Sequence, residues 1–255
     1  MDKEIKIFEE LQKRYDFLAE KYGYNHILGI FLYGSQNYHM DLPSSDIDTK
    51  AIYVPSLTEI CMNMQPVSKE LHYDNTHIEV KDIRLMCDMW KKQNINFVEI
   101  LFTKHFIINP FYTDYWDFIV NKKQSVAHYD VQRTLVSIAS QVKNTIKHEE
   151  VTGKQFANAG RLVYFLRSYI EGKSYEECLL MDKEHLAHYM EIKQSTQLYS
   201  NELELIELRK EVEHILKTKI YHDGEKELRV FLDEVFATFC KGCIKHYENL
   251  LGQCT

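Results

Sequence analysis

The chain has 255 residues, 45% of them hydrophobic and 27% charged, with only four prolines and nine glycines, a composition that excludes disorder and long flexible linkers and suffices for one large domain or two ordinary ones. Its formal net charge of −7 disfavours extended binding to a nucleic-acid backbone, because each phosphate neutralised needs a Lys or Arg. The charged opening Met1-Asp2-Lys3-Glu4 and the lack of any apolar run of membrane-spanning length predict no signal peptide, no transmembrane helix, no membrane partner and a cytoplasmic location, where the six scattered cysteines read as reduced thiols.

Ile5, Phe8, Leu11, Tyr15 and Leu18 fall at helical spacing, with Gly23 as the stop, and predict an amphipathic first helix. Residues 26–33 and 46–54 are short apolar runs that read as the first two strands, and residues 76–80 as a third. From Asp82 the period turns helical through Ile83, Met86, Cys87 and Trp90. Asn96-Phe-Val-Glu99 has the spacing of a capping box, and residues 106–108 form a brief extended piece closed by Asn109-Pro110. Beyond residue 120 the pattern is almost purely helical, with stripes at Val131, Leu135, Ile138, Val142 and Ile146, then Leu162, Phe165, Leu166 and Tyr169. Residues 203–216 and 228–250 continue it, separated by His222-Asp223-Gly224.

Residues 32–52 carry the most chemistry. They hold the turn Gly34-Ser35 and, about a dozen residues on, Asp46-Ile47-Asp48 entering an apolar run. If residues 49–54 continue one strand, both carboxylates project from one face while Ile47 turns into the core. Two like charges side by side need a cation, and the hard cation that suits carboxylates and is completed by substrate phosphates is Mg²⁺. A phosphate cradle followed by a metal site reads as nucleotide handling.

Gly34-Ser35, Ser45-Asp46-Ile47-Asp48 and Lys50-Ala51-Ile52 resemble the nucleotidyltransferases of the DNA polymerase β superfamily, in particular the predicted nucleotidyltransferases of bacteria and their phages. The likeness extends to residues 77–84 and 94–102 and covers the first half of the chain better than the second. It implies that Gly34 and Ser35 hold the triphosphate, and that Asp46 and Asp48 bind Mg²⁺ or Mn²⁺. The family also uses a third carboxylate on a neighbouring strand. Glu79, between Ile78 and Val80, is the choice for it, and Asp82 the second candidate, though Asp82 falls where a helix N-cap belongs. The implied reaction is in-line attack of an acceptor hydroxyl on the α-phosphorus of a nucleoside triphosphate, ATP in the first instance, assisted by two metals, with pyrophosphate leaving. The third carboxylate would serve the metal nearer the acceptor or take its proton.

The chain departs from the family at two places. Tyr38-His39 stands where Tyr-Gly is usual, so His39 either tunes nucleotide choice or faces solvent. Lys154-Gln-Phe-Ala-Asn158-Ala-Gly-Arg161-Leu resembles the family's Lys-x-x-x-His-x-x-Arg-Leu with Asn158 in place of His. Lys154, Asn158 and Arg161 share a helix face, which suits a basic clamp on the phosphates or the acceptor.

Other candidates have plainer readings. Glu99 fits a capping box better than a general base. Lys91-Lys92 reads as a solvated helix end, and Lys143 with Lys147 as a solvated face or a phosphate contact. Cys240-x-x-Cys243-x-x-His246 lies on an apolar stripe with no fourth ligand evident, so core packing is favoured over zinc.

The expected fold is α/β of the α+β kind: a small mixed sheet domain over residues 1–120 and an all-helical domain over residues 121–255 that closes the nucleotide cleft. The acceptor is left open among a small molecule, an RNA end and a protein, the last in the manner of a toxin-like enzyme. A nucleotide-binding module without turnover is the further alternative.

Overall fold

The computed structural model describes residues 3–74, 76–218 and 225–252. Its elements in order are α1 (Lys3–Tyr22), β1 (Ile27–Tyr33), β2 (Asp48–Tyr53), α2 (Leu57–Cys61), β3 (Ser68–Tyr73), β4 (Thr76–Asp82), α3 (Ile83–Lys91), α4 (Ile95–Val98) and β5 (Phe106–Ile108). Helices α5 (Thr113–Val120), α6 (Lys123–Ala127), α7 (Val131–Thr145), α8 (Gly153–Ile170), α9 (Tyr175–Leu179), α10 (Lys183–Gln194), α11 (Leu203–Lys217) and α12 (Glu225–Gly252) follow, with short strands β6 (Val151–Thr152) and β7 (Leu198–Tyr199) among them. The fold is mixed α and β, as expected.

A run without polar alternation makes a strand covered on both faces, and β1, Ile-Leu-Gly-Ile-Phe-Leu-Tyr, is buried through Leu32. It lies inside a five-stranded sheet of order β3-β4-β2-β1-β5, in which β2 and β4 run parallel and every other pair antiparallel. One face packs on α1, where Ile7, Leu11, Tyr15 and Leu18 meet Ile30, Leu32, Ala51 and Val80. The other face begins a larger core that runs from Leu28 and Ile52 through Trp90, Leu135 and Phe165 to Phe239 and Tyr247. The last helix therefore returns to the sheet: Glu248 accepts from Leu57 N at 2.6 Å, and the Tyr247 hydroxyl meets His26 Nε2 at 2.7 Å.

Several expectations are corrected. Ile5 and Phe8 are exposed, because the buried stripe of α1 runs through Ile7, Leu11, Arg14, Tyr15 and Leu18 and admits a cation. Residues 76–82 are the fourth strand. The missed β3, Ser-Lys-Glu-Leu-His-Tyr, is a largely exposed edge strand whose charges blunt it and hide any apolar alternation. The second half is not all-helical, since β6 and β7 pair in it. The break assigned to His222-Asp223-Gly224 lies outside the described residues.

Helix α10 sits unusually close to α8. A Cβ on Gly153 would stand 2.1 Å from the Ile192 carbonyl oxygen, and one on Gly160 2.1 Å from the Tyr189 ring. Two side-chain-free positions on α8 thus seat α10 against it, which brings the end of α10 to the mouth of the candidate site.

Candidate active site

Tyr33 ends β1, and Gly34 follows with φ 84° and ψ −155°, a conformation that a side chain makes costly. A Cβ there would also stand 3.5 Å from Asp48 Oδ2. The chain then makes a single 3-10 turn, Ser35–Tyr38. Behind it lies Glu99, 2% exposed, whose Oε1 accepts from Gly34 N at 2.9 Å. Glu99 is therefore no capping residue: the N-cap of α4 is Asn94, which accepts from Asn96 N at 3.1 Å. Burial pushes the Glu99 carboxyl up, while Arg161 and the Gly34 amide pull against it.

Asp46 lies in the loop before β2 and is exposed, whereas Asp48 is the first residue of β2, opposite Tyr33. Both carboxylates reach the same cavity, and the intervening Ile47 packs toward the α1 core. Burial, with the charge of Asp46 next, raises the Asp48 carboxyl, and Lys154 opposes. The Asp-x-Asp backbone is held from behind by Arg14 of α1, 2% exposed, whose Nη1 donates to the Ile47 carbonyl and, at 3.3 Å, to Thr49 Oγ1. Nothing in the helical stripe marked Arg14 as different from a surface cation.

The cavity has a volume of about 480 Å³, within the roughly 300–1,000 Å³ common for small-molecule sites. Gly34, Ser35, Asp46 and Asp48 line one side, and Lys154, Asn158 and Arg161 of α8 line the other. The structure thus brings together six of the seven site residues expected from sequence. Arg161 is 3% exposed, its guanidinium carbon lies 3.8 Å from the centre of the Tyr38 ring, and Nη2 reaches Asn158 Oδ1 at 3.4 Å. Its Nε and Nη1 have no hydrogen-bond partner among the described residues. Asn158 accordingly orients Arg161.

Glu79 is the residue not brought in. It sits on β4 in register with Lys50, two residues along from Asp48, which is about 6–7 Å of strand. Its carboxylate is ion-paired with Lys50, 2% exposed, and with Lys81 at 3.2 Å. Burial raises the Glu79 carboxyl, but the hydrogen bonds and charges of Lys50 and Lys81 outweigh it and hold it below the ordinary range. The β4 residue close enough to act on Asp48 is His77. Asp82 is buried, caps α3 through Arg84 N at 2.9 Å and pairs with the Arg84 guanidinium at 2.6 Å, as its N-cap position implied. Glu79→Gln is therefore expected to lower stability by roughly 1.5–3 kcal/mol, the worth of a hydrogen bond to a charged group, without weakening nucleotide binding. Thermal melts and nucleotide titration of the variant check both halves. Because the folded carboxyl is held below its unfolded value near 4.5, this contribution is present above that pH and lost as pH falls through the folded pKa.

His39 is exposed, adopts the left-handed φ of 60°, and lies off the main cavity. It caps the turn and borders a second hollow behind it. Lys91 is ion-paired with Asp233 at 2.8 Å rather than free in solvent. Cys240 lies with its sulfur 3.5 Å from that of Cys87, and Cys243 is fully buried, in keeping with packing. Lys193, at the end of α10, also lines the main cavity, and no motif pointed to it.

Among the described residues no three His, Cys, Asp or Glu side chains converge on one metal position. Asp46 and Asp48 supply two carboxylates to one cavity, and Mg²⁺ ordinarily takes one or two with water and phosphate oxygens completing its shell. The donor set fits a cation that arrives with a polyphosphate. Compared with known proteins, the chain matches no family model and no curated protein.

Proposed function

We propose that this chain is a metal-dependent nucleotidyltransferase, moving a nucleoside monophosphate from a nucleoside triphosphate, with ATP as the first to test, to an acceptor hydroxyl. The observation that supports it most is the pairing, across one cavity, of Asp46 and Asp48 with the buried, incompletely bonded guanidinium of Arg161. The Arg161 guanidinium, balanced in part by Glu99, keeps donors for a further anion, and a cation would relieve the Asp48 carboxyl that burial and the neighbouring Asp46 raise. A metal nucleotide supplies both.

On this reading Gly34 lets the chain approach the phosphates, and Ser35 offers a hydroxyl beside its backbone amide. Asp46 and Asp48 would hold Mg²⁺ or Mn²⁺, which when bound supplies neutralisation of charge on the reacting phosphate oxygens. Lys154 and Arg161 grip the β- and γ-phosphates and take up the charge that grows on the leaving group. The acceptor oxygen bonds to the α-phosphorus as its proton passes to solvent water, the bond from that phosphorus to the bridging oxygen breaks, and pyrophosphate departs. Residues 1–120 form the catalytic domain, and the helices after them close the cleft. The acceptor is a small molecule, an RNA end or a protein.

One observation favours a second reading. With Glu79 tied to Lys50, no third carboxylate among the described residues lines the cavity to take the acceptor's proton, which suits a nucleotide-binding module without turnover. Incubation with each of the four α-labelled triphosphates, Mg²⁺ or Mn²⁺ and a fractionated host lysate separates the two. Labelled product with pyrophosphate release supports the transferase and identifies its acceptor class. Metal-dependent binding with no transfer supports the module, and no binding at all removes both.

A further inference from the structure

Resting on the nucleotide reading of the cavity, we infer that Lys193 is the contact that recognises the terminal phosphate and makes the site select a triphosphate over a diphosphate. The residue belongs to α10, outside every motif that marks the cavity, yet its side chain lines it together with Lys154 and Arg161. Its place there is built. Gly153 and Gly160 let α10 pack on α8 at distances no side chain would permit, so the end of α10 is set beside the N-terminal turn that carries Lys154.

With Arg161 balanced by Glu99, Lys154 and Lys193 remain beyond what two carboxylates and a divalent metal require. Among the described residues the Lys193 ammonium donates to a neutral partner, the Met40 carbonyl. Met40 lies in the loop between the Gly34-Ser35 turn and the aspartates, so the ammonium is held at the rim facing that loop. Burial and then the charge of Lys154 pull the ammonium down, with Asp41 opposing and Arg161 adding to the pull. Met40 N in turn donates to Ser35 O at 3.0 Å, and Ile192, next to Lys193, packs on Gly153, next to Lys154, so the ammonium stands between the Gly34-Ser35 turn and the start of α8. Lys193 thus sits with the turn and the basic helix face, the groups that would hold the phosphates. A polyphosphate whose α end lies at the carboxylates presents its far end to Lys193.

An ammonium that exchanges a carbonyl for a phosphate oxygen gains a charge-assisted bond and relieves its repulsion by Lys154. A diphosphate in the same frame would not extend to it. Lys193 would therefore contribute to affinity for a triphosphate and hardly at all for a diphosphate.

The test is calorimetric titration of the full chain, with Mg²⁺, using α,β-methylene-ATP and α,β-methylene-ADP so that no turnover intervenes. The variants are Lys193→Gln, which keeps a side-chain amide donor but carries no charge, and Lys193→Arg, which keeps the charge. The wild type is expected to favour the triphosphate by roughly ten- to hundredfold, Lys193→Gln to bring the two ligands within about threefold, and Lys193→Arg to restore most of the preference. A Lys193→Gln protein that keeps the wild-type ratio, or loses both ligands equally, would overturn the role of Lys193 while leaving the nucleotide site in place. A wild-type protein that binds neither ligand would overturn the nucleotide reading, and this role with it.

Discussion

Asp48→Asn is expected to abolish transfer from the triphosphate, lowering the rate by roughly a thousandfold or more, while the unliganded protein melts no earlier than the wild type. On the proposed reading, the first half follows from the loss of several kcal/mol of charge stabilisation that a metal held by this carboxylate would supply to the reacting phosphates. The second follows from the apo site. Asp48 is half-buried beside Asp46, and burial with that neighbouring charge raises its carboxyl above the ordinary value near 3.8. An acid raised in the folded state binds more protons folded than unfolded, so its contribution to stability falls as pH rises from about 3.8 through the raised pKa. Asn removes that dependence, and Mg²⁺ should cancel it in the wild type only. Pyrophosphate release and melting curves between pH 4 and 7, with and without Mg²⁺, check all three points. Wild-type turnover in both Asp48→Asn and Asp46→Asn would remove the pair from the mechanism.

Glu99→Leu is expected to be the most damaging change outside the cavity. The Glu99 carboxylate, itself 2% exposed, is the acceptor for the Gly34 amide. Removing it takes away the protein acceptor of that amide and strips the nearby buried Arg161 of a balancing charge, a loss of about 2–4 kcal/mol and a fall in Tm of roughly 5–10 °C. Since Gly34 shapes the turn that would hold the phosphates on the proposed reading, nucleotide affinity should fall together with stability. Glu99→Gln keeps an acceptor without the charge, and is expected to recover most of the stability but not the affinity. Equal losses in the two variants would assign the effect to the charge alone, and wild-type melting of Glu99→Leu would refute the anchoring role.

These two residues mark the boundary of what could be read along the chain. Asp48 announces itself, because a carboxylate two residues from another at the head of an apolar run is a local pattern with a chemical meaning. Gly34, Ser35, Lys154 and Arg161 were legible for the same reason: a tight turn and a helix face are set by neighbours within a few residues. The stripes of α7 and α8, the strands around Gly34 and the mixed sheet as a class were equally local, since hydrophobic period follows directly from 2.0 and 3.6 residues per repeat.

The partners that hold this site are long-range, and there the chain misled. Glu99 had the spacing of a cap, but a residue 65 positions away claimed its carboxylate. Glu79 had the right strand and the right face, yet the parallel register between β2 and β4 set it opposite Lys50 instead of Asp48. Arg14 carries no local mark, and only the docking of α1 on the sheet buries it against Ile47 and Thr49. Lys193 reaches the cavity only because two glycines 7 residues apart on α8 admit α10. What the amino-acid sequence determined by itself was therefore the elements and the local chemistry of turn, aspartate pair and basic helix face. Register, docking and close helix approach decided which charges meet, because those depend on side chains far apart in the chain competing for the same buried space.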